Sequence, residues 1–76
     1  MKKVSALTPG ARIAAWRSIK GMSVRELATA AGLYYSALSR MEKGRQEPKA
    51  EEVERIASAL GITMAQFYGE VELRAS

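Results

Sequence analysis

Few side chains in this 76-residue sequence could take part in chemistry, because it has no histidine, cysteine, aspartate or asparagine. Glu, Lys, Tyr and Ser remain, without the usual thiolates, near-neutral bases or zinc ligands. That inventory points away from an enzyme. No catalytic residue, metal, cofactor or small-molecule ligand is expected. Cationic nitrogen is plentiful instead: Arg40, Lys43 and Arg45 lie close together, with Arg25 upstream, and such groups suit anionic oxygens. Twelve Lys and Arg against eight Glu give +4, and the sign is unevenly placed. Residues 1 to 49 carry ten cations against Glu26, Glu42 and Glu47, a balance of +7. Residues 50 to 76 carry Arg55 and Arg74 against five Glu, a balance of −3. A basic segment joined to an acidic one describes a face for a polyanion and a rear that repels it. Ordinary solvated charge is the plain alternative.

Glycines and capping residues mark the elements that must position these cations. Thr8 caps a first helix over about Pro9 to Lys20, and Gly21 stops it. Ser23-x-x-Glu26 is a capping box opening a second helix, Val24 to Ala31, which Gly32 ends. A third helix spans about Tyr34 to Lys43, up to Gly44, and a fourth about Lys49 to Leu60, up to Gly61. Thr63-x-x-Gln66 opens a short fifth helix ending near Tyr68. Apolar residues recur every three or four positions, as in Ile13/Trp16, Leu38/Met41 and Val53/Ile56/Ala57/Leu60. No strand-like alternation of any length appears. The expected fold is all-α: a single domain over 1–76, with its core in about 7–69 and a frayed tail in 70–76. Helices this short are marginal alone and need a shared core. The opening Met1-Lys2-Lys3 is not followed by a long apolar run, so neither export nor a membrane span is expected, and the location is taken as cytoplasmic.

The segment Val24 to Lys43 resembles the helix-turn-helix of the lambda-repressor-like family, also called the Xre or Cro type. Leu27, Ala31, Leu33, Leu38 and Met41 fall at its apolar positions, Ala28 at its small one and Gly32 at its turn. The likeness extends through Arg12-Ile13, Trp16-Arg17, Leu38 to Gly44, Ile56-Ala57, Ala59-Leu60-Gly61 and Phe67, about sixty residues in all. It implies a compact five-helix domain with the helix-turn-helix in helices 2 and 3, the third helix lying in the major groove of duplex DNA. At about 100° per residue, Ser36, Ser39, Arg40 and Lys43 lie opposite the buried Leu38 and Met41.

From the resemblance, Tyr35, Ser36, Ser39 and Arg40 are the expected base-contacting residues. Arg40 would read a guanine through its planar fork, while Tyr35 is either a base contact or a partly buried flank residue. Phosphate contacts are expected from Arg25, Lys43 and Arg45, with Val24 at the opening of helix 2 and Tyr34 at that of helix 3. The family often has Gln where Val24 stands, so that role passes to backbone or to Arg25. Neither Tyr34 nor Lys49 offers a short-reach capping oxygen. Arg17 and Glu42 match a structural ion pair between the first and third helices, and Trp16 is expected in the core.

The expected function is a sequence-specific DNA-binding transcriptional regulator, a small repressor acting as a homodimer on a near-palindromic operator. Phe67, Tyr68, Val71 and Leu73 are the candidate dimer interface, with completion of the core as the alternative for Phe67 and Tyr68. The rival function is an antitoxin-type protein-interaction module on the same fold, whose partner would be a toxin.

Overall fold

The computed structural model describes residues 2–4, 7–69 and 71–73, the first and last of these segments as backbone only. In chain order the elements are β1 (Lys2–Val4), α1 (Pro9–Ile19), α2 (Val24–Ala31), α3 (Tyr35–Glu42), α4 (Ala50–Leu60), α5 (Met64–Tyr68) and β2 (Val71–Leu73). Local chemistry accounts for most boundaries. Thr8 Oγ1 accepts from Ala11 N at 3.2 Å ahead of Pro9, so α1 starts with a side-chain cap and a proline that gives up no hydrogen bond. The Ser23/Glu26 and Thr63/Gln66 capping boxes both close. Tyr34 supplies no side-chain cap to α3. At α4 the Glu52 carboxylate accepts from Lys49 N at 2.8 Å, so half of a box forms without a capping oxygen on residue 49.

Five helices build the all-α core as the periodicity predicts. Ile13, Leu27, Leu38, Met41, Val53, Ile56 and Phe67 are the largest fully buried side chains. α2 packs chiefly on α4, and α1 on α3. The approach of α1 to α3 is set by Gly10, where a Cβ would overlap the Met41 carbonyl oxygen. At the corner between α2 and α3, Gly32 holds φ +69°, a left-handed conformation that only glycine adopts without strain. Arg55 of α4 donates from Nη2 to the Gly32 carbonyl at 2.8 Å and so fastens that corner to the rest of the bundle.

Two expectations need correction. The segment 70–76, read as a frayed tail, contributes β2, which pairs antiparallel with β1 in the register Lys2↔Leu73, Lys3↔Glu72, Val4↔Val71. Three residues a side are too few to show alternation, so periodicity could not reveal the ribbon. Phe67, placed among the candidate dimer residues, has 0% exposure and belongs to the core. Turning it outward would forfeit about 2 kcal/mol of apolar burial. Tyr68 is 49% exposed, with its ring edge-on to Phe67 at 5.0 Å between centroids. The side chains of Val71 and Leu73 lie outside the described residues.

Arg12, read only as part of the resemblance, is 7% exposed and donates from Nη1 to the Phe67 carbonyl at 3.0 Å and also to the Gly69 carbonyl. These carbonyls end α5, where a cation meets the negative pole of a helix. One buried guanidinium thus ties α1 to α5.

Helix propensity alone makes Gly10→Ala stabilising by about 0.8 kcal/mol. The contact with the Met41 carbonyl reverses the sign: Gly10→Ala should lose about 3 kcal/mol through overpacking, read as a fall in the urea unfolding midpoint. A midpoint equal to or above that of the parent would show that α1 and α3 do not need the close approach.

Candidate nucleic-acid interface

The outward face of α3 is defined by what its other side buries. Leu38 and Met41 are fully buried, which leaves Ser36 and Arg40 exposed and Ser39 half-buried, with Lys43 and Arg45 exposed just beyond the last turn. At the start of α3, Tyr34 is 84% and Tyr35 44% exposed. Arg25 reaches across from α2 and lays its guanidinium over the Tyr35 ring, Cζ 4.3 Å from the centroid. This cation–π stack joins an expected phosphate residue to an expected base residue and limits the freedom of both.

The N-terminus of α2 opens onto the same corner. Its capping box satisfies Ser23 N and Glu26 N, so the N–H groups of Val24 and Arg25 are the ones without a helical partner. The Val24 side chain is half-buried and packs on the core, which leaves only its backbone to meet an anion. Hydrogen bonds from Ser23, first through its backbone N–H and then through its side chain, hold the Glu26 carboxyl below its ordinary pKa.

Arg17 and Glu42 meet as a bidentate pair: Nε to Oε2 at 2.8 Å and Nη2 to Oε1 at 3.0 Å. Arg17 Nη1 also donates to the Met22 carbonyl at 2.9 Å. The hydrogen bond to Glu42 holds the Arg17 guanidinium charged, raising its pKa against the opposing effect of burial. The bridge anchors the last turn of α3 to α1 and to the turn before α2.

Two polar residues at this corner went unread in the sequence. Gln46 Oε1 accepts from Arg40 Nε at 2.9 Å, and Arg55 holds the Gly32 carbonyl. The only signal for Gln46 was its place two residues after the Gly44 stop, and Arg55, in the middle of α4, carried none. Phe67 and Tyr68, by contrast, lie on α5, and none of the contacts described above links them to α3.

Residues 10–67 match the family profile of the helix-turn-helix domain. The chain belongs to this family, in its lambda-repressor-like form. Among similar proteins of this helix-turn-helix family is the HTH-type transcriptional regulator PuuR of Escherichia coli, 30% identical over 66 residues, which cover 87% of this chain and 36% of PuuR. Another is the HTH-type transcriptional regulator DdrOP3 of Deinococcus deserti, 32% identical over 78% of this chain and 50% of the relative. The chain therefore spans only about a third to a half of the relatives it matches. Among solved structures, the clp gene regulator ClgR of Corynebacterium glutamicum superposes with a TM-score of 0.74 at 36% identity, covering 78% of this chain and 63% of that one. The restriction-modification controller protein C.AhdI of Aeromonas hydrophila gives 0.74 at 29% identity, covering 78% and 89%.

Two outcomes test the supports of this face. Glu42→Ala should destabilise the domain by about 2 kcal/mol, less than the 3–5 of a fully buried pair because Arg17 retains some contact with solvent. Arg17→Met/Glu42→Leu should then lose less than the sum of the two single changes. Additive losses in urea melts would deny the coupling. For Glu26, a lowered folded pKa contributes stability that is whole above the ordinary range near pH 4.3 and vanishes as pH falls through the folded value. Glu26→Gln should flatten the acid limb of the stability curve relative to the parent; parallel limbs from pH 6 to pH 3 would count against the box.

Proposed function

We propose that this domain is a cytoplasmic, sequence-specific binder of duplex DNA that regulates transcription as a small repressor, with α3 seated in the major groove. The observation that carries this reading is the face of α3: a fully buried Leu38/Met41 side opposite Ser36, Arg40 and Lys43, all exposed. Relatives named as transcriptional regulators support it, as does the basic balance of residues 1 to 49. Tyr35, Ser36, Ser39 and Arg40 would face base edges, and Arg40 would take a guanine. Arg25, Lys43, Arg45, the exposed Tyr34 and the backbone N–H of Val24 would meet phosphates.

One domain of this size covers too few base pairs for tight binding. Two-fold pairing would set two α3 helices about 34 Å apart on a near-palindromic site. With Phe67 committed to the core, Tyr68 is the aromatic of α5 left to serve the seam, together with Val71 and Leu73.

Selection of duplexes from a random pool should yield a two-fold motif. Against it, Arg40→Ala should lose about 1 to 3 kcal/mol of base discrimination per half-site without loss of folding. Lys43→Ala should instead weaken all duplexes alike and reduce the salt slope by about 0.9. Failure to select any duplex, or release of nucleic acid that is insensitive to salt, would favour the rival interaction module.

A further inference from the structure

Although Arg40 is exposed, its side chain is held, because Nε donates to Gln46 Oε1 at 2.9 Å. The contact follows from how α3 ends. Gly44 takes φ +74°, Gly44 N donates to the Met41 carbonyl at 3.1 Å, and Arg45 N donates to the Arg40 carbonyl at 2.9 Å. This pair of bonds is a Schellman closure. It turns the chain back along the helix, so residue 46 comes beside residue 40. Gln46 is half-buried and lines a shallow cleft with Pro9 and Met41 at the start of α1. It is therefore the more firmly seated member of the pair.

A guanidinium carries one N–H on Nε and four on the two Nη atoms, all in one plane. With Nε engaged from behind, the two Nη atoms form the outward pair, and an end-on fork of that kind matches O6 and N7 of guanine. We propose that Gln46 is a positioning residue for base reading: by holding Arg40 Nε, it presents the two Nη groups of Arg40 end-on to a guanine edge. The proposal rests on the DNA-binding reading above and adds to it a residue outside the recognition helix that sharpens specificity. Its gain comes from ordering a long side chain before the duplex arrives.

The test has one arm without DNA and one with it. In free protein with isotope-labelled arginine, the Arg40 Nε–Hε vector should be restrained, and Gln46→Ala should release it to the mobility of a solvated arginine. With duplexes selected by the parent protein, Gln46→Ala should lower discrimination about threefold to tenfold, only at the base pair whose discrimination Arg40→Ala abolishes. The salt slope should stay unchanged, and Arg40→Ala/Gln46→Ala should match Arg40→Ala alone. Gln46→Glu keeps the acceptor, so discrimination should persist while affinity for every duplex drops. A uniform weakening by Gln46→Ala would make Gln46 itself a backbone contact, and additive effects or an already mobile Nε would deny the pairing; each overturns the proposal while leaving DNA binding intact. If the parent protein selects no duplex, the functional reading falls and the proposal falls with it.

Discussion

The roll of α3 about its own axis decides which side chains it can offer to a partner, and the bridge between Arg17 and Glu42 fixes that roll. Two parallel hydrogen bonds resist rotation as well as separation, so the fork from α1 holds the last turn of α3 in one orientation. Gly10 sets the distance at the same place by letting α1 rest on the Met41 carbonyl. Leu38 and Met41 are then committed inward, which leaves Ser36, Arg40 and Lys43 pointing out. A bridge of this kind adds modest net stability, since desolvation offsets much of its attraction. Its contribution here is orientation.

Much of the helical framework is legible in the sequence because its boundaries are made by local chemistry. Thr8, Ser23 and Thr63 cap α1, α2 and α5, and Gly21, Gly32, Gly44 and Gly61 all take positive φ where helices must stop. The starts of α3 and α4 each fall one residue past expectation: neither Tyr34 nor Lys49 caps with its side chain, so the helices begin at Tyr35 and Ala50. The β1–β2 ribbon was invisible because pairing between residues about 70 apart leaves no trace in a three-residue pattern. Periodicity says that Phe67 is apolar and faces one side of α5, but it cannot say whether that side meets the core or another surface.

The candidate interface was legible in outline and not in its supports. Exposure of Ser36, Arg40 and Lys43 follows from helical geometry once Leu38 and Met41 are taken as buried. The destinations of long polar side chains do not follow in the same way. Arg12 runs into the core to end α5, Arg55 crosses to the α2–α3 corner, and Gln46 folds back on Arg40. The Arg12 and Arg55 contacts join segments whose proximity is settled only by tertiary packing, the Gln46 contact depends on the turn at Gly44, and a charge read along a helix carries no sign of which carbonyl it will find.

The terminal ribbon bears on how this domain joins to other polypeptide. With Lys2 opposite Leu73, backbone entering and backbone leaving pass one doorway instead of opposite poles. Whatever is grafted upstream and downstream must share that doorway, and two bulky grafts would crowd each other before either reached the helical bundle. A tether at one end therefore steers the other.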